Sequence, residues 1–457
     1  DHRDLHSFPT RRSSDLGKFL ARRREAMGGP VPFRYKDGEK LTVPAPSSFE
    51  DMLASSGERE LSTTMAFVRL LTKLVKDEHI GERIVPIVSD EARTFGMEGL
   101  FRQIGIYAPD GQLYEPVDKD SFLWYREDAK GQILEEGITE AGAISSWIAA
   151  ATSHANHQVS MIPFFIFYSM FGFQRIGDFI WAAGDSGAKG FLLGATAGRT
   201  TLNGEGLQHE DGHGLLLAST HPTCQAYDPT FSYELALIIQ DGLKRMYEEG
   251  ENIFYYITLM NENYTHPEMP KGVEEGIKKG AYLFKKAKKT KSPVVQLMGS
   301  GTILREVIAA AELLSADFGV EADIWSILGV NELHRDGVEA ERYNLTHPEA
   351  KAKVPYLTKL LEGHEGPVVI STDYIRAYPE QIRRLIPNKH VTILGTDGFG
   401  RSDFRQALRK FFEVDRYYIA VAALKGLADE GKIPAKSVSE AIKKYGIDVD
   451  KPNPLTR

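Results

Sequence analysis

The sequence predicts an α/β fold of two three-layer α/β/α domains with mainly parallel sheets, on three observations. Short, almost wholly apolar runs recur at 83–89, 161–168, 190–194, 253–258 and 294–298, the pattern of strands buried on both faces. Stretches with apolar residues at helical spacing lie between them. Five lysines within 285–291, followed by Pro293, interrupt this alternation, which then resumes. The lysine run reads as a solvated linker between domains rather than a nucleic-acid patch.

Composition narrows the function classes. The chain has 457 residues, 42% hydrophobic and 26% charged, which suits a globular protein of two to three domains. A net charge of −8 provides no large positive field for nucleic acid. The single cysteine, Cys224, excludes a disulfide framework and a CxxC metal site, and fits a reducing, cytoplasmic compartment. No apolar run reaches the ~18 residues of a membrane span, and no secretory signal pattern opens the sequence.

At the N-terminus, residues 1–16 share no character with the rest of the chain and read like translated adapter sequence, so they are left out of fold reasoning as non-native. Residues 17–60 are expected to be a loop-like connector, punctuated by Gly28-Gly29-Pro30 and Pro44-Ala45-Pro46. They begin abruptly, and further chain upstream is expected. The first domain, 61–285, opens with a helix carrying Thr64, Val68, Leu71 and Val75 on one face. Strand 83–89 then stops at Asp90-Glu91, an acidic pair where parallel strands place ligands; helix capping is the alternative. Residues 106–132 are a Pro-, Gly- and Asp-rich excursion of lid length. A helix starting at Glu140 turns apolar at once, with Ala143, Ile144, Trp147 and Ile148. Next come strand 161–168, a helix with Ile176, Ile180 and Trp181, strand 190–194, a loop over 196–214, a helix over 233–249 and strand 253–258. The second domain, 292–457, repeats the alternation. Its strands are 294–298, 322–328, 367–371 and 391–394, and its helices 303–314, 402–412, 417–430 and 437–445.

Two local motifs invite chemistry. His209-Glu210-Asp211-Gly212-His213 matches the H-E-x-x-H of zinc hydrolases. That chemistry needs both histidines on one helix face, whereas four nearby glycines favour a loop and no third ligand stands out. A glycine-rich loop pointing His209 into a cleft fits better, and a locally bonded loop histidine is the bland alternative. The turns at 299–301 and 395–400 continue neither as GK[ST] nor as GxGxxG, so ordinary strand-to-helix turns are expected. Glu140 has two explanations as well. A carboxylate at a helix N-terminus is favoured by ~0.3–1 kcal/mol, and a buried acid can handle protons.

Several long strings occur together in order: DEARTFGMEGLFRQIGIY from Asp90, KGQILEEGITEAGA from Lys130, FYSMFGFQRIGDF from Phe167, RTTLNGEGLQHEDGH from Arg199, STDYIRAYPEQIR from Ser371 and LGTDGFGRSD from Leu394. They resemble the homodimeric pyruvate dehydrogenase E1 component family of bacterial, thiamine-diphosphate-dependent enzymes within the transketolase superfamily. The resemblance covers residues 61–457. It implies a pyrimidine-binding domain followed by a transketolase C-terminal-like domain, the C-terminal half of the family's protein.

From the family come further expectations. The activity would be oxidative decarboxylation of pyruvate with transfer of the acetyl group to lipoyl on the E2 dihydrolipoyl acetyltransferase. Another transketolase-type 2-oxoacid dehydrogenase is the runner-up, ahead of a zinc hydrolase. Thiamine diphosphate and Mg²⁺ are the implied cofactors. The family holds the metal at a GDG…N motif, which is missing here, so no metal ligand is expected in this chain and the chain alone should be inactive. A homodimer with the active site at its interface is implied. The thiamine aminopyrimidine needs a carboxyl group at N1′ that exchanges a proton, and the resemblance gives Glu140 that role. His209 would meet the substrate or later intermediates. Ile138, Tyr168 and Phe171 would line the ring, with core packing as the alternative for the aromatics. Asp90 and Glu91 would sit at the cofactor edge, and Arg175 would shape the pocket's electrostatics.

Overall fold

A computed structural model describes residues 14–29, 38–89, 92–115, 125–288, 291–387 and 389–457. Thirteen strands are present in these residues: β1 Ile84–Val88, β2 Ile106–Tyr107, β3 Glu127–Asp128, β4 Leu134–Glu135, β5 Ile162–Tyr168, β6 Phe191–Ala195, β7 Cys224–Tyr227, β8 Phe254–Thr258, β9 Tyr282–Lys285, β10 Val294–Gly299, β11 Glu321–Ser326, β12 Val368–Ser371 and β13 Val391–Leu394. The first large sheet has the order β4-β1-β5-β6-β8-β7, with every pair parallel. The second runs β13-β12-β10-β11-β9 and is parallel except for β9, an antiparallel edge strand. Strands β2 and β3 pair in parallel inside the 106–132 excursion.

Alternate side chains of each strand point to opposite faces, and both faces are apolar. Ile84, Val88, Phe164, Ile166, Phe191 and Leu193 enter one hydrophobic cluster. Val85, Ile87, Phe165, Phe167 and Leu192 enter a second. The second sheet divides the same way, with Val295 and Leu297 in the first cluster and Met298 and Ile370 in the other. Helices cover both faces, which gives two α/β domains with mainly parallel sheets. Each cluster draws on both domains.

Residues 17–60 differ from the loop-like connector expected. Asp15–Ala26 is a helix, capped by Ser14, whose hydroxyl accepts from the Gly17 amide at 3.1 Å. None of its residues is buried. Good helix formers and a cap sustain it without an apolar face, so periodicity gave no signal. Pro46–Phe49 and Glu50–Leu53 add two short turns that bury Phe49 and Met52. The helix expected over 233–249 is an α-helix, Ser232–Leu243, that widens to a π-helical turn, Lys244–Glu249. Helix Val330–Thr346 was absent from the expectation because its apolar face is reduced to Val330, Leu333, Gly337 and Ala340. Among the described residues no helix is long and apolar enough to cross a membrane.

Candidate active site

The carboxyl ends of β1, β4, β5 and β6 lie along one edge of the first sheet, as their registers require: Val88 beside Glu135 and Ile166, Tyr168 beside Ala195. Open parallel sheets bind ligands at this edge. After β4 the chain turns, and the Thr139 hydroxyl caps helix Glu140–Ala151 by accepting from the Gly142 amide at 3.2 Å. Ala143, Ile144 and Trp147 are buried, and the Trp147 indole donates to the Phe191 carbonyl at 3.1 Å. This packing fixes Glu140 at the helix mouth with its side chain 10% exposed.

Strand β5 delivers the aromatic part. Tyr168 ends the strand, and Phe171 lies in the turn Ser169–Phe171 immediately after it. Their ring centres are 6.2 Å apart, edge to face. His209 stands over both, at 4.8 Å from Tyr168 and 5.3 Å from Phe171. Arg175, on helix Phe173–Asp185, lies 4.0 Å from the Phe171 ring centre. One of its terminal nitrogens donates to Glu140 Oε2 at 2.9 Å. Five of the expected residues thus form one continuous group: Glu140, Arg175, Phe171, Tyr168 and His209. Family resemblance assigned Arg175 only a general electrostatic part; its direct ion pair with Glu140 is new.

Two expectations fare differently. Ile138 is 78% exposed at the same edge, so only a surface beyond the described residues would make it line a ring. Asp90 and Glu91 lie outside the described residues. Ser89 Oγ, Thr196 Oγ1 and His209 Nδ1 are buried at this edge with no hydrogen-bond partner among the described residues. Buried polar atoms are nearly always paired, so unpaired ones mark where a ligand or water fits. Thr196 also has φ +50°, a left-handed conformation that is strained for a β-branched residue by about 1–3 kcal/mol.

The zinc-hydrolase alternative is corrected by the local backbone. Leu207–His209 is a 3-10 turn, and the chain leaves helical geometry at Glu210 before His213 caps the short helix Gly214–Ala218. The His213 ring turns to Gln174, 2.6 Å away. Asp211 accepts from the His213 and Gly214 amides at 2.9 and 2.8 Å and from the Ser169 hydroxyl. Among the described residues no group of three His, Cys, Asp or Glu side chains has metal-binding geometry. Glu210 is buried, and desolvation pushes its carboxyl up to about 7 against the pull of the Arg401 amide and of Arg199.

Sequence reasoning missed the residues that seat this loop, Arg199 and Asp373, both buried. An arginine between a glycine and two threonines in a polar loop carries no sequence signal of burial.

Residues 45–267 match the pyruvate dehydrogenase E1 component middle domain, and 280–415 the transketolase-like C-terminal domain. The chain belongs to the pyruvate dehydrogenase E1 component family. It is 61% identical over 455 residues to the pyruvate dehydrogenase E1 component of Pseudomonas aeruginosa, covering 99% of this chain and 52% of that protein. Against the Escherichia coli K12 E1 component it is 52% identical over 450 residues, covering 98% of this chain and 50% of that one. The chain therefore spans about half the length of the curated relatives it matches. A transketolase from Campylobacter jejuni superposes with a TM-score of 0.57 over 90% of this chain and 51% of its own, at 16% identity. One from Leishmania mexicana gives 0.58 over 83% and 49%, at 15% identity. These two establish the shared fold alone.

Proposed function

We propose that this chain supplies the proton-handling, pyrimidine-facing half of a thiamine-diphosphate-dependent pyruvate dehydrogenase. One observation carries the reading: a nearly buried carboxylate, Glu140, opens a helix at a sheet's ligand edge beside an aromatic wall faced by a histidine. The fit to the cofactor rests on this donor set. Tyr168 and Phe171 offer the apolar flank an aminopyrimidine ring needs. Glu140 offers a carboxyl group, and Ser89, Thr196 and His209 offer polar atoms unpaired among the described residues. When bound, thiamine diphosphate supplies the carbon nucleophile for a 2-oxoacid's keto group.

The chain's own residues then have definable parts. Arg175 holds Glu140 Oε2, which leaves Oε1 to exchange a proton with a ring nitrogen. His209, half-buried and with a buried Nδ1 unpaired among the described residues, takes the substrate side. Asp90 and Glu91, next in sequence after Ser89, bear on the same proton. Mg²⁺ and the diphosphate are held by the part of the longer relatives outside this chain's span. The whole enzyme works as a cytoplasmic homodimer and passes its acetyl group to lipoyl on an E2 acetyltransferase.

The test uses the chain extended to its relatives' full length. With thiamine diphosphate and Mg²⁺ it should release CO₂ from pyruvate at least about tenfold faster than from 2-oxoisovalerate. The present chain alone should release none. Turnover by this chain alone, or no preference for pyruvate, overturns the reading.

A further inference from the structure

The loop that carries His209 is fastened to the other domain on both sides of the histidine. Before it, the Arg199 amide donates to the Asp373 carbonyl at 3.2 Å. The Thr200 amide and hydroxyl donate to Asp373 Oδ1 at 2.8 and 2.6 Å, and the Thr201 hydroxyl to Oδ2 at 2.6 Å. The Gly204 amide reaches the Asp403 carbonyl at 3.0 Å. After it, the Gly212 carbonyl accepts from the Ile375 amide at 2.8 Å. The glycine-rich turn 395–400, expected to be an ordinary strand-to-helix turn, is the seat. Arg199 crosses to it and donates to the carbonyls of Thr396 and Gly398, the latter at 2.6 Å. Its Nε bonds back to the Glu210 carbonyl at 3.4 Å, beside His209. The Glu210 side chain accepts from the Arg401 amide.

The fit is close enough to exclude side chains. A Cβ on Gly212 would stand 2.3 Å from the Arg199 guanidinium carbon. One on Gly198, which has φ +85°, would stand 2.2 Å from an Asp373 carboxylate oxygen. An arginine buried to 4% exposure, bonded to two carbonyls of one domain and one of the other, has a single geometry available. The loop leaves β6 through the strained Thr196, so the chain's own preference does not hold it in place.

We propose that Arg199 is a positioning residue for the reaction: it locks the His209 loop onto the Thr396–Gly398 turn of the C-terminal domain, and so sets the histidine over Tyr168 and Phe171. Through it the second domain completes the site. This rests on the reading of His209 given above.

The experiment is a double-mutant cycle in the full-length enzyme, with Arg199→Met, His209→Ala and both together. Arg199→Met alone should lower kcat/KM for pyruvate by about the factor that His209→Ala does, within about threefold. In the His209→Ala background it should cost less than about twofold more. Arg199→Lys, which keeps charge but not the fork, should recover only part. If the two losses multiply, Arg199 acts apart from His209 and the proposal falls. A separate arm uses this chain and does not depend on catalysis. Hydrogen exchange at amides 203–213 should be at least about tenfold faster in Arg199→Met than in the parent, while β6 and β8 keep their protection. Unchanged exchange overturns the anchoring. If His209→Ala leaves turnover intact, the reading of the site fails, and the exchange arm still decides whether Arg199 holds the loop.

Discussion

Two stretches of sheet edge have opposite fates in this molecule. At the carboxyl edge of the first sheet, Glu140 has a single ion-pair partner among the described residues, half-exposed Arg175. Ser89, Thr196 and His209 nearby keep unpaired polar atoms among the described residues. At the carboxyl edge of the second sheet, Asp373 comes just after β12 and takes hydrogen bonds from Thr200 and Thr201. Ser300, after β10, donates at 2.6 Å to Asp228, which follows β7 of the first sheet, and Thr258 at the end of β8 donates to the other Asp228 oxygen at 2.6 Å. Polar groups around Glu140 are therefore open, whereas those where the ends of β7 and β8 meet the ends of β10 and β12 are paired, Ser371 Oγ excepted. A closed edge joins domains; an open one awaits a ligand.

Mutations should separate the two edges. The largest effect belongs to the open one. Glu140→Gln in the full-length enzyme should lower pyruvate turnover by about 10²–10⁴-fold, the usual worth of a positioned acid or base. Its stability should change by less than about 1 kcal/mol, because the partner Arg175 is half exposed. A large fall in the urea midpoint with turnover preserved would reverse the assignment.

The next effect belongs to the closed edge. Asp373→Ala strands the buried Thr200 amide and hydroxyl and leaves the Thr201 hydroxyl only Thr302, and should cost about 3 kcal/mol in urea denaturation. A loss below about 1 kcal/mol would mean that the second edge is not a joint.

The smallest effect is a pH slope. Burial pushes the Asp228 carboxyl up to about 7, against the pull of Ser300 and Thr258. In the unfolded chain an aspartate titrates near ~3.9. Between about pH 4 and 7 the folded state keeps a proton that the unfolded state has lost, so this group's contribution to stability falls as pH rises through that window. Asp228→Asn removes the titration. The variant should therefore lose less stability than the parent between pH 5 and pH 7.5, read from urea midpoints, and equal losses would refute the sign.

The two edges were also unequally legible in the sequence. The long strands and their alternation with helices could be read from apolar runs, because both faces of each sheet are buried. Strands β2, β3 and β4 are two residues each and carry no periodicity. The members of the open edge could be named because the family strings contain them, and the structure brings Glu140, Tyr168, Phe171, Arg175 and His209 together. The Arg175–Glu140 pair depends on the angle between two helices, which spacing does not encode. The closed edge was not legible at all. Asp373 and Thr200 lie 173 positions apart, and nothing in either neighbourhood announces the other.

The lysine-rich break at 285–291 marks a seam in the order of the chain, but the apolar clusters disregard it. Tyr227, Phe231 and Ile257 share one cluster with Val295, Leu297 and Val369; Leu215 and Tyr256 share the other with Trp325 and Ile370. Neither domain closes its own interior. The two halves should therefore melt as a single cooperative unit, and a protease cut within the lysine run should yield fragments that stay associated until denaturant separates them.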